Sequence, residues 1–166
     1  GNDLGETIEI SSLDANRTIT AKFTPAFFST TYGEKWVRLS NCNNTSYWAT
    51  MENVAAGGNG KTATLDYADE KQLWCLVGNA ESFVIYNKAA GEKLALKVTA
   101  ETYGNGSQAT LESDTQASWK LVEQDFGYAF APTHNTNTSN LGINMYGGNG
   151  GNLQLYGTGA SNKGSY

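Results

Sequence analysis

A short string recurs three times along this chain. Gly-Asn-Gly stands at residues 58–60, 104–106 and 148–150, and in each copy a leucine follows five residues after the last glycine: Leu65, Leu111 and Leu155. The first two copies run on alike, Ala63-Thr64-Leu65-Asp66 beside Ala109-Thr110-Leu111-Glu112, and the third reads Leu153-Gln154-Leu155-Tyr156. A second marker keeps step: Trp36-Val37-Arg38-Leu39, Trp74-Cys75-Leu76-Val77 and Trp119-Lys120-Leu121-Val122, with Asp69 and Asp114 each five residues ahead of the second and third Trp. The two markers set a period of 38 to 46 residues. A fixed period of that size means one supersecondary unit per copy, each burying its apolar face against its neighbours.

Within a period, apolar residues alternate with polar ones in short runs bounded by Gly and Asn, which is the pattern of strands and tight turns and not of helices. The first unit reads as strands at Trp36–Asn41, Tyr47–Met51, Thr62–Tyr67 and Gln72–Gly78. The second gives Phe83–Asn87, Lys93–Val98, Ala109–Ser113 and Ser118–Glu123, and the third Tyr128–Pro132, Leu141–Tyr146 and Leu153–Gly157. Three four-stranded units need one strand more, with a Trp at or just past Tyr166: either the segment is cut short of it or Tyr166 begins it. A propeller shares the period but needs at least four blades, so three copies point to a closed three-fold barrel.

Composition agrees and removes several functions. Charged residues make up 16% of the chain, below the usual ~25%, while 19 Gly, 17 Asn and 18 Thr supply turns and β-branched positions. Four Trp and 11% aromatics furnish a core, which excludes disorder. With 16 acidic against 11 basic residues and no Lys/Arg cluster, the chain lacks the basic footprint of a nucleic-acid binder. No apolar run is long enough for a membrane span. One histidine, His134, cannot build a multi-His metal site, and Cys42 and Cys75 do not have the spacing of a metal or redox motif. These two thiols are free to pair or to stay apart. Neither a metal nor a cofactor is expected. The start carries no initiator Met and no signal peptide, so the chain reads as an excised piece of something longer.

The repeats resemble the β-trefoil, and within it the ricin-type lectin-like modules. Gln72-Leu73-Trp74 is similar to that family's Gln-x-Trp, and Ala117-Ser118-Trp119 keeps the Trp. Asp69–Gly78 followed by Phe83–Lys88 resembles trefoil modules attached to secreted bacterial glycan-degrading enzymes such as sialidases. The resemblance covers residues 36–166 and implies an all-β trefoil with repeats at about 36–78, 79–123 and 124–166. It also implies a monomeric, non-catalytic carbohydrate-binding module whose partners are a glycan and other domains of the parent. The expected location is secreted, periplasmic or on the cell surface of a bacterium. Residues 1–35 fall outside the repeats: Ala15–Phe23 looks like the closing strand of a small bacterial surface repeat, the tail of a preceding module, and Ala26-Phe27-Phe28 is apolar enough to pack against the barrel. Residues 1–12 are expected to be poorly held.

Carboxylates for hydrolysis exist in Asp66, Asp69, Glu70, Glu112 and Asp114. The repeat places Asp66 with Glu112, and Asp69 with Asp114, at equivalent points of different units, so they do not converge on one bond as an acid/base pair must. Turn-capping is the expected role. His134 sits in a polar loop with no carboxylate near it in sequence. Recognition remains: an aromatic ring stacks on a pyranose while amides, each both donor and acceptor, bond its hydroxyls. The resemblance implies, for each unit, a polar residue near the second strand, an aromatic ending the third, and an amide in the loop before the Trp. The third unit fits best, with Asn144, Tyr156 and Asn162, and with Tyr146, Asn149, Asn152 and Gln154 nearby. The first offers Asp66 and Tyr67, and the second, with Glu112 and Ser113, has lost its aromatic. The competing expectation is a spacer or protein-interaction trefoil with no sugar site.

Overall fold

The structure, a computed structural model, describes residues 25–100, 102–124, 127–134 and 140–158. The Ala15–Phe23 strand, Asn162 and the strand expected around Tyr166 lie outside them. Eleven strands are present among the described residues: β1 Phe28–Ser29, β2 Trp48–Met51, β3 Gly60–Ala63, β4 Trp74–Asn79, β5 Ser82–Asn87, β6 Ala95–Val98, β7 Ala109–Glu112, β8 Trp119–Gln124, β9 Gly127–Pro132, β10 Leu141–Tyr146 and β11 Asn152–Gly157. A single 3₁₀ turn, Glu70–Gln72, precedes β4.

Two kinds of hairpin alternate. β4–β5 and β8–β9 form barrel walls, pairing Trp74 with Asn87 and Trp119 with Pro132. β2–β3, β6–β7 and β10–β11 cap the barrel in one shared register, with Ala49 opposite Thr62, Leu96 opposite Leu111 and Ile143 opposite Leu155. Because successive side chains point to opposite faces, that register sends these pairs inward and the pairs next to them outward in all three units. Trp74 and Trp119 are buried, and their indole N–H groups donate to the carbonyls of Ala49 at 3.1 Å and Leu96 at 2.6 Å. Each barrel strand is thereby tied to the cap hairpin of its own unit.

The caps close on one another in a ring. Gly57 N–H donates to the Leu111 carbonyl and Leu111 N–H to Gly58; Gly106 N–H donates to Leu155 and Leu155 N–H to Ser107; Gly150 N–H donates to Thr62 and Thr62 N–H to Gly151. Unit one thus bonds unit two, two bonds three, and three returns to one. The donors Gly57, Gly106 and Gly150 have φ of +77°, +90° and +76°, a conformation that costs glycine little and other residues more. The Gln108 side-chain amide sits at this junction and donates to Gly60 at 2.9 Å and Leu153 at 2.7 Å. Three repeats in a cyclic array of barrel and cap hairpins make the fold a β-trefoil.

The ring corrects the repeat alignment. Leu111 and Leu155 have Thr62, not Leu65, as their counterpart in the first unit. The predicted strand Thr62–Tyr67 accordingly begins earlier and ends at Ala63. Gly-Asn-Gly misled because its glycines serve different needs. In the second and third copies the last glycine takes the turn. In the first, Gly57 does so, while Gly60 is required by close approach, since a Cβ there would lie 2.9 Å from Leu153 Cβ.

Trp36 is a second correction. It is half-buried, outside any strand, with Tyr32 edge-on at 5.4 Å and the Lys88 ammonium 5.9 Å from its ring centre. It is no counterpart of Trp74 and Trp119. The strand predicted at Trp36–Asn41 is reduced to bridges of Val37 with Trp74 and Ser40 with Trp48. The remaining edge of β4 is taken by β1, which pairs in parallel with Leu76 and Val77. Phe28 there is buried against Phe83 with centroids 5.1 Å apart.

Ser29 Oγ lies 3.5 Å from the buried Cys75 thiol, and both cysteines are free, with Cys42 exposed. Glu34 closes the arm's turn by accepting from the Thr30 N–H and hydroxyl, which hold its carboxyl below the usual range. Burial, with the Glu92 charge beside it, pushes the Tyr32 phenol up.

Candidate functional site

Three cap hairpins turn an outer face to solvent, and their chemistry differs. On β10–β11 the register pairs Gly142 with Tyr156, Asn144 with Gln154 and Tyr146 with Asn152. All six share the outer face, because Leu141, Ile143, Met145, Leu153 and Leu155 face the core. Five of the seven residues named for the third unit are therefore gathered on one surface: Asn144, Tyr146, Asn152, Gln154 and Tyr156. Asn149 is exposed in the connecting turn, and Asn162 lies outside the described residues.

The tyrosines define the surface. Tyr146 is 57% exposed and Tyr156 half-buried, their rings 6.4 Å apart and 12° from parallel. They project from ends of the hairpin that are four residues apart on β10, and the register positions of Asn144 and Gln154 fall between them. Those two amides are buried at 7% and 9% exposure. This departs from the expectation of open amides beside an open ring. The exposed chemistry is two rings and the groups along their edge, with Asn144 and Gln154 buried at the register positions between them.

The edge groups come partly from another unit. Asn152 pairs with Lys61 of β3, whose ammonium donates to Asn152 Oδ1 at 2.9 Å. Thr62 Oγ1 donates to the Gly148 carbonyl, and a Cβ on Gly148 would stand 3.4 Å from the Tyr47 ring. A row Tyr146–Asn152–Lys61–Thr50 thus crosses the sheet β10–β11–β3–β2. Lys61 was not among the expected residues. Its signal is the corrected alignment, which makes it the first unit's counterpart of Gln154.

Asp66 and Tyr67 do not join this face. In the corrected register the counterpart of Tyr156 is Ala63, so Asp66 does not occupy the aromatic position. It caps a turn, accepting from Ala68 N–H at 2.9 Å. Tyr67 is 79% exposed, with the Arg38 guanidinium 5.2 Å from its ring centre and bonded to its carbonyl. In the second unit the matching outer face carries Lys97, ion-paired with Asp114, and Glu112, which accepts from the Thr110 hydroxyl.

Asp69 and Asp114 cap turns. Asp69 accepts from Lys71 N–H and Asp114 from Gln116 N–H, both at 2.9 Å. Each turn comes just before a Trp strand, as the repeat spacing predicts. The Lys97 ammonium and the Gln116 amide hold the Asp114 carboxyl below the usual carboxylate range. Among the described residues no cluster of three His, Cys, Asp or Glu could hold a metal ion, and no helix is long and apolar enough to cross a membrane.

Comparison with solved structures returns the same fold. The chain superposes on a designed 3-fold symmetric protein, ThreeFoil, with a TM-score of 0.63 at 20% identity over 77% of this chain and 94% of that one. It also matches a mosquitocidal holotoxin with a TM-score of 0.62 at 16% identity, covering 81% of this chain and 17% of the toxin chain. No protein-family model and no curated protein matches the sequence.

Proposed function

We propose that the chain is a non-catalytic carbohydrate-binding module of a larger secreted or cell-surface bacterial protein that acts on glycans. The observation that carries the reading is the Tyr146–Tyr156 pair on the outer face of β10–β11, two near-parallel rings with an amide and an ammonium along their edge. Aromatic faces take the apolar side of a pyranose, while Asn152 and Lys61 offer hydrogen bonds to its hydroxyls. A single face of this size gives weak affinity; attachment to a parent enzyme raises effective concentration and makes weak binding sufficient. Support for the parent comes from the resemblance of Asp69–Lys88 to modules of glycan-degrading enzymes. The capping roles of Asp66, Asp69 and Asp114 favour recognition over hydrolysis.

The test is glycan retention by the wild-type chain and by Tyr146→Ala and Tyr156→Ala. Loss of a stacking ring is expected to weaken retention about tenfold, equivalent to about 1.4 kcal/mol. The melting temperature of Tyr146→Ala should stay unchanged, because that ring is mostly exposed. Unaltered retention in both variants refutes the site, and a wild-type chain that retains no glycan favours the spacer reading.

A further inference from the structure

A single formal charge stands on the sheet that carries the tyrosine pair. The strands β2, β3, β10 and β11 contain no Asp, Glu or Arg, and Lys61 is their only Lys. Lys61 is half-buried, and its ammonium donates to Asn152 Oδ1 at 2.9 Å. Among the described residues it makes no ion pair, whereas Lys97 on the outer face of β6–β7 is neutralised by Asp114, and Lys88 is paired with Glu70. The carboxylate that follows β2 in sequence, Glu52, is engaged by the Asn59 side-chain amide at 3.0 Å. An ammonium has three donors, so Lys61 keeps donors to spare on a face with no carboxylate of its own.

The place of that ammonium follows from register. Tyr146, Asn152 and Lys61 stand side by side on three neighbouring strands. At ~4.8 Å per strand, the Lys61 backbone is about 10 Å from that of Tyr146, and its side chain leans back to Asn152. The acceptors along this edge are already engaged, Asn152 Oδ1 by Lys61 and the Gly148 carbonyl by the Thr62 hydroxyl. The groups left to a ligand, the ammonium and the Asn152 Nδ2 hydrogens, donate. A sugar hydroxyl uses a donor and an acceptor, while a carboxylate or a sulfate accepts only. Its bond to an ammonium is charge-assisted and roughly twice as strong as a neutral one.

Resting on the carbohydrate reading of the Tyr146–Tyr156 face, we propose that this face selects glycans whose pyranose carries an anionic substituent, a carboxylate or a sulfate ester, and that Lys61 sets the selectivity. The rings take the apolar side of the sugar, and the anionic group turns toward Lys61 and Asn152. The chain as a whole carries a formal charge of −5 and repels anions. Capture is therefore local to Lys61, within the ~8–10 Å over which charges act at physiological salt.

The experiment applies the full chain to an array of oligosaccharides in uronate-containing and sulfated forms beside their neutral parents, at ~0.05 M and ~0.3 M NaCl. Wild type should retain anionic forms about tenfold more tightly than the neutral parents, and the preference should shrink at the higher salt. Lys61→Gln keeps a donor for Asn152 and removes the charge; it should lose the preference, hold the neutral parents as before and melt with wild type. Lys61→Arg keeps the charge and should restore the preference. Retention confined to the uronates or to the sulfates supports the proposal and names the group. Equal retention of neutral and anionic forms by wild type, or a preference that survives in Lys61→Gln, overturns it; if that retention still depends on Tyr146, the carbohydrate site stands without charge selectivity. A wild-type chain that retains no glycan of either kind overturns both.

Discussion

Trp119→Ala tests the repeat alignment most directly. The side chain is 1% exposed and its indole donates to Leu96 at 2.6 Å inside the core cluster. Truncation removes the transfer free energy of the indole and leaves a cavity, together about 3–5 kcal/mol. It also strands the Leu96 carbonyl, which places the loss in the upper part of that range. A domain holds about 5–15 kcal/mol in all, so the variant gives up a large share of its stability. At ~2–4 °C per kcal/mol for a chain of this length, the midpoint of thermal unfolding should fall by about 8–16 °C, with a matching shift in urea midpoint. Trp119→Phe keeps one aromatic ring but loses the donor and part of the buried volume, and should cost about 1–3 kcal/mol. Trp36→Ala, half-buried at the surface, should cost about 1 kcal/mol or less. The reasoning is refuted if Trp119→Ala melts within a few degrees of wild type, or if Trp36→Ala costs as much as Trp119→Ala.

Further expectations follow from single contacts. A Cβ at Gly151 collides with the Tyr146 carbonyl, so Gly151→Ala should destabilise the β10–β11 turn by about 1–3 kcal/mol and weaken glycan retention together with thermal stability. Asp114 titrates below its unfolded value, so its stabilisation is present above about pH 4 and is lost as the pH falls through the folded value. Asp114→Asn should flatten the acid limb of a melting-temperature profile, modestly because the carboxylate is largely exposed. If the two profiles run parallel below about pH 5, the Lys97 pair contributes nothing. Thiol titration should count one reactive group in the native chain, Cys42, and two after denaturation; a native count of two places Cys75 within reach of solvent.

Much of the candidate surface was legible because its residues are close in sequence. Asn144, Tyr146, Asn152, Gln154 and Tyr156 lie on two strands joined by one tight turn, and a period of two puts them on one face once the hairpin forms. The burial of Asn144 and Gln154 was not legible: alternation says which face a residue takes but not how deeply its neighbours bury it. Lys61 was invisible for a different reason, since its partner Asn152 is 91 positions away.

The sequence by itself determined the all-β class, the three-fold repetition and the place of most strands, because turn glycines and alternating side chains are local requirements that each unit must satisfy alone. The tertiary structure decided the rest. Whether Gly57 or Gly60 takes the positive φ depends on which carbonyl the next unit presents and on where Leu153 passes. Whether a tryptophan is core or surface depends on which strand lies beneath it: Trp74 and Trp119 meet Ala49 and Leu96, and Trp36 meets Tyr32 and Lys88. Register between units is set by hydrogen bonds that close only when the three units meet, and no single repeat contains that information.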